Sequence, residues 1–109
     1  MTHPIKQNVN LVEILAGLTT AVVWIDKNEN IGFINLAGAE LLQLSAQRVI
    51  GMNWRYILPR LLDDIHACGT GRLTIHEYTI RLPDAQKIHV TCTISYYEMD
   101  GDDGWLIEL

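Results

Sequence analysis

No run of lysine or arginine occurs in this 109-residue sequence, and its 13 acidic against 8 basic side chains leave a net charge of −5. Nucleic-acid binding needs a basic stripe to displace counterions, so that class is excluded first. A membrane span is missing too. The uncharged segment Ile14 to Ile25 holds only twelve residues, against the ~20 a spanning helix needs. It ends in Trp-Ile-Asp without the small-residue pattern of a signal peptide, so the expected location is the cytoplasm. Cysteine is scarce: Cys68 and Cys92 stand far apart, outside any C-x-x-C spacing. Thiols flanked by apolar residues in this way read as buried and inert rather than as a disulfide. His3, His66, His76 and His89 fall into no H-x-x-H or H-E-x-x-H spacing, which leaves no metal site to expect. Internal repeats and low-complexity segments are absent.

What is present is apolar: 49% of the residues, enough for one core and one domain. Residues 1–10 are polar and expected to fray, leaving 11–109 as the single domain. Leu11, Val12, Leu15 and Leu18 recur at helical spacing, with Ile14 beside them, and predict a short amphipathic helix over Leu11 to Leu18. The stretch Ala21 to Gly51 organises the rest. Ala21-Val22-Val23-Trp24-Ile25 is a short β-branched and aromatic run, Asp26 to Asn30 is a polar turn, and Ile31-Gly32-Phe33-Ile34 resumes the strand. Asn35 then has the side chain to accept N–H groups of a helix over Leu36 to Leu44. Ser45 reads as the cap of a further turn ending at Gly51.

Pro59 suits the first turn of the next helix, where Leu58, Leu61, Leu62, Ile65 and Cys68 form one apolar stripe and Gly69-Thr70-Gly71 stops it. Over Lys87 to Tyr97 the residues Ile88, Val90, Cys92, Ile94 and Tyr96 alternate with polar ones, a period of two. Arg72 to Leu82 changes parity midway, which a bulge near His76-Glu77 reconciles. Turns follow at Leu82 to Ala85 and at Asp100 to Gly104. The result is an α+β domain: five strands in one antiparallel sheet, with short helices covering one face. The expected core takes Leu41, Leu44, Leu58, Leu62 and Ile65 from helices and Phe33, Tyr78, Val90 and Ile94 from strands.

Asp26, the four-residue turn, Ile31, Phe33, Asn35, Ala37, Ala39-Glu40, Leu42 and Gly51 together resemble the N-terminal half of a PAS domain. Leu18-Thr19-Thr20-Ala21-Val22, continuing to Asn35-x-Ala37-x-Ala39-Glu40-x-Leu42 and Leu44-Ser45-Ala46, is similar to the PAS domain of nitrogen-regulation sensor histidine kinases of the NtrB type. Gly104 to Leu109 is similar to that family's last strand. The sequence departs at Leu36, where the family usually has Pro, and at Gly38, where Ala is commoner and Gly costs about 1 kcal/mol of helix propensity.

The resemblance implies a sensory module of a cytoplasmic two-component kinase in nitrogen regulation, acting by dimerisation and signal transmission. The implied partners are the parent's C-terminal kinase domains and, through them, a response regulator and a PII-type protein. No His-Glu-x-x-Asn-Pro box or glycine-rich nucleotide pocket occurs, so this chain is expected to catalyse nothing. Gly51-Met52-Asn53-Trp54-Arg55 resembles the flavin loop of light-sensing PAS domains, but Trp54 replaces the reactive cysteine. Haem-binding relatives place their ligand near Arg60, two turns before His66, so no cofactor is expected.

The sheet itself argues for pairing: Val22 to Ile25 and Trp105 to Ile107 are apolar at both parities, so one set faces away from the helices and needs cover. Leu11, Leu15, Val22, Trp24 and Leu106 are the expected homodimer contacts. The alternative is a ligand sensor with a small metabolite in a cleft between Asn35, Trp54 and Tyr78. In that cleft Asn35 reads first as a helix cap.

Overall fold

The structure, a computed structural model, describes residues 20–99 and 101–109. The expected helix over Leu11 to Leu18, with the contacts Leu11 and Leu15, lies outside the described residues, as does the fraying segment 1–10. In chain order the elements are β1 (Val22–Asp26), β2 (Ile31–Ile34), α1 (Leu36–Leu42), α2 (Ala46–Val49), a 3-10 turn (Trp54–Tyr56), α3 (Pro59–Cys68), β3 (Arg72–Arg81), β4 (Lys87–Met99) and β5 (Asp102–Glu108). The sheet runs β2-β1-β5-β4-β3, antiparallel throughout. The first and last strands are therefore neighbours, paired from Val22↔Glu108 to Asp26↔Gly104.

The β1–β2 turn forms because Asp26 accepts from the backbone N–H groups of both Asn28 (2.9 Å) and Asn30 (3.0 Å). At the end of β2 the Asn35 carboxamide accepts from Gly38 N–H at 2.7 Å and starts α1. Gln43 in the left-handed region, φ 56, ends that helix. Ser45 precedes α2 but caps it with backbone alone: its hydroxyl makes no capping hydrogen bond. Pro59 opens α3 as expected. In β3 the register slips between Ile75 and Tyr78, with Glu77 at φ 54, so the parity change is a bulge at the expected place. The last turn is tighter than the sequence suggested. Gly101 at φ +84 carries the chain round, and β5 starts at Asp102, opposite Met99.

The helices cover one face of the sheet. Val23, Ile25, Ile94, Cys92 and Ile107 point into that layer and meet Leu61 and Ile65 of α3, all fully buried. Each such aliphatic side chain contributes about 1.5–3 kcal/mol by leaving water. Two expected core residues belong elsewhere. Leu42, not Leu41, is the buried leucine of α1. Phe33 stands directly opposite Trp24, on the other face, because the β1–β2 register shifts just beyond that pair.

Gly38 is explained by close packing. A Cβ there would lie 3.0 Å from Ile34 Cγ1 and 3.1 Å from both Asn35 Oδ1 and the Val22 carbonyl oxygen. A larger residue at this first turn of α1 would make Ile34, Asn35 or β1 give by a few tenths of an ångström, which offsets part of the helix propensity that Gly38 loses.

Candidate functional site

Asn35 is a bracket between α1 and β1. It is buried, its Oδ1 accepts from Val22 N–H (2.9 Å) as well as from Gly38 N–H, and its Nδ2 donates to the Thr20 carbonyl (2.8 Å). Its side chain is thereby committed to structural bonds. Trp54 is fully buried in the core beside the helices, with its indole Nε1 making no hydrogen bond among the described residues. The segment before it runs along the outer edge of β2. Ile31 N–H donates to the Met52 carbonyl, Gly51 N–H to the Ile31 carbonyl, and Trp54 N–H to the Glu29 carbonyl.

Asn53 reinforces that seam by donating to the Asn28 carbonyl, while its Oδ1 accepts from Arg55 N–H and Nε–H. Gly51, Asn53 and Arg55, the residues shared with the flavin loop, thus serve local structure here. Trp54 itself is packed in the hydrophobic core.

Tyr78 is the third of the expected cleft residues. It lines an open groove of about 550 Å³ between the start of α3 and the β3–β4 hairpin, with Leu58, Arg60, Ile80, Arg81 and Lys87. Burial, and after it the neighbouring Asp64 carboxylate, push the Tyr78 phenol up to about 12. Neither Asn35 nor Trp54 lines this groove or the smaller depression that adjoins it. The three residues are therefore distributed over a cap, a core and a groove.

The opposite face of the sheet carries Trp24 and Leu106 of the expected interface set. Phe33, Trp24, Leu106, Ser95 and Arg72 form one register row across β2, β1, β5, β4 and β3. Phe33, Trp24 and Leu106 are half-buried and make the apolar end of the row. The Trp24 indole lies flat against the sheet. A Cβ on Gly32 would come within 2.9 Å of its Cδ1, and one on Gly104 within 2.6 Å of its Cζ2. Glycines on both flanking strands thus form its seat, a feature visible only once the register is known. Val22 differs from the rest of the set: it is 1% exposed and offers no free surface.

The titratable and thiol groups do structural work. His66 is exposed and pairs with Glu29, tying α3 to the β1–β2 turn across a separation the sequence could not reveal. Cys92 is buried and its thiol is pushed up to about 12, mainly by burial. Burial also raises Cys68, whose Sγ–H donates to the Gly71 carbonyl at 3.3 Å. Both thiols are free and poorly suited to act as nucleophiles. Among the described residues no group of His, Cys, Asp and Glu converges as a metal site. No helix of the described residues is long and apolar enough to cross a membrane.

The chain is similar over most of its length to solved PAS structures. The PAS domain of nitrogen regulation protein NR(II) from Vibrio parahaemolyticus superposes with a TM-score of 0.73 at 20% identity, covering 90% of this chain and 94% of that one. A PAS domain from a two-component sensor histidine kinase gives 0.73 at 11% identity, with 95% of each chain covered. An RNA-binding light-oxygen-voltage receptor gives 0.77 at 14% identity, covering 98% of this chain and 33% of that one. These identities speak for the fold. No curated protein sequence matches. A family model described as PAS fold matches residues 10–108, and the chain accordingly belongs to the PAS family.

Proposed function

We propose that this domain is the regulatory PAS module of a cytoplasmic two-component sensor histidine kinase, working in nitrogen regulation and acting through pairing with a second copy of itself. The observation that carries this reading is the Phe33–Trp24–Leu106 row: apolar, half-buried, and on the face of the sheet away from α3 and the core. An apolar sheet face of this kind calls for cover. In this reading Leu11 and Leu15 add to the interface, while the buried Val22 takes no part in it. The chain itself catalyses nothing. It passes a change of pairing to C-terminal kinase domains, and through them to a response regulator and a PII-type protein. The similarity to the Vibrio NR(II) domain supports the nitrogen assignment.

Sedimentation of the purified domain tests the pairing. Dimers for the native chain and monomers for a well-folded Leu106→Asp variant are expected, and a native chain that stays monomeric at high micromolar concentration contradicts the proposal. A second reading, a PAS sensor for a small ligand, draws on the Tyr78-lined groove. A ligand at 100 times its dissociation constant adds about 2.7 kcal/mol of stability, so a thermal-shift screen separates the two readings.

A further inference from the structure

The groove beside Tyr78 continues past Ile57 and Leu58 into the adjoining depression of about 260 Å³, since the two share Ile57, Leu58, Ile80 and Arg81. The two ends differ in chemistry. One is apolar, walled by Leu42, Leu44, Leu82 and Pro83. The other is lined by Arg60, Arg81 and Lys87. No carboxylate lines either part, in a chain where acidic side chains outnumber basic ones 13 to 8.

None of the three cations has an ion pair among the described residues, where the recorded pair is His66–Glu29. Arg81 and Lys87 also stand directly opposite each other across the β3–β4 hairpin. Like charges in that register repel and destabilise a sheet unless an anion lies between them. The first turn of α3, whose side-chain cap is missing, lines the same end and adds the positive pole of the helix dipole. Asp64 lies beside Tyr78, and the exposed Asp84 is already engaged, accepting from Gln43 Nε2 at 3.0 Å and from Gln86 N–H.

We propose that this groove binds a small anionic amphipath, a carboxylate or phosphate head held by Arg60, Arg81 and Lys87 with an aliphatic body along Leu44, Ile57, Leu58 and Leu82. The inference deepens the sensor reading and stands apart from pairing through the opposite face. The anion relieves the Arg81–Lys87 repulsion, and the aliphatic body covers Leu44, Ile57 and Leu58, which the fold leaves half-buried, beside the buried Leu82. A rigid aromatic cofactor is not required, because the groove is open along its length.

Two-dimensional NMR titration of the whole domain tests this with octanoate, octyl phosphate, octanol and octylamine as probes. Saturable shifts at Leu58, Arg60, Ile80 and Lys87 are expected with octanoate or octyl phosphate, with a dissociation constant below about 1 mM. The better of the two identifies the head group. Octanol and octylamine bind about tenfold or more weakly, and the double variant Arg60→Gln/Lys87→Gln loses the octanoate preference by a similar factor. The native spectrum of that variant shows whether it is folded, and single Arg60→Gln serves if it is not. Equal binding of octanol and octanoate, shifts confined to Trp24 and Leu106, or binding of a poly-glutamate peptide with no response to either anion each overturn the proposal. The peptide result would give the groove to an acidic protein segment. Sedimentation of the same samples keeps a failure of pairing distinct from a failure of the groove.

Discussion

The two faces of the sheet use tryptophan in opposite ways. On the inner face Trp54 is buried to 0% exposure among Leu61, Ile65 and their neighbours, and its only polar atom is left without a described partner. On the outer face Trp24 lies half-exposed across Gly32 and Gly104, with Phe33 and Leu106 abreast of it. The inner ring is held by surrounding side chains and fills space. The outer ring is held from below by backbone, which leaves its upper surface for something else. The same residue type therefore fills space on one side and is displayed on the other, and the distinction comes from what the flanking strands lack as much as from what the helices supply.

Substitutions can break this comparison, and the largest effect belongs to the seat of Trp24. A Cβ on Gly104 would sit 2.3 Å from the Ile25 carbonyl oxygen. Gly104→Ala is expected to cost about 4 kcal/mol or more, or to prevent folding, as read by urea denaturation. Next comes Trp54→Ala, at about 3–5 kcal/mol. Trp54→Phe costs far less, about 1 kcal/mol, because it also removes the unpaired buried N–H. Asn35→Ala follows at about 2–4 kcal/mol, since the cap on Gly38 and a partner for the buried Val22 N–H disappear together. Trp24→Ala belongs to the other class. It should leave monomer stability within about 1 kcal/mol while weakening pairing at least tenfold, and equal losses in both would erase the contrast between the faces.

The smallest effect is a pH dependence. The Tyr78 phenol rises in the folded protein from its ordinary 10.0 to about 12. A raised value means the folded state holds its proton more tightly, so this contribution is complete below about pH 10 and fades as pH climbs towards 12. Phenolate absorbance should show one tyrosine titrating late, and Asp64→Asn should bring it earlier.

Much of this architecture was legible in the residues. Asn35 after an apolar run gave the start of α1, the alternation over Lys87 to Tyr97 gave β4, and the parity change in β3 marked its bulge. These signals are local, and hydrogen-bond geometry enforces them over a few residues. What escaped depends on register. A shift beyond the Trp24–Phe33 pair moves Phe33 to the outer face, and a step of one residue on α1 exchanges Leu41 for Leu42. The Glu29–His66 pair and the glycine seat join segments distant in sequence. The cleft expected from Asn35, Trp54 and Tyr78 failed to assemble for a related reason. Each residue is individually suited to a pocket, but the topology assigns one to a cap, one to the core and one to a groove.

The pairing proposed for the outer face makes the oligomeric state of this domain depend on Leu106. Sedimentation velocity across a dilution series of the native domain, beside Leu106→Asp, tests it most directly. A reversible dimer is expected for the native chain and a folded monomer for the variant. A native chain that runs as monomer at every concentration, or a variant that still pairs, contradicts it.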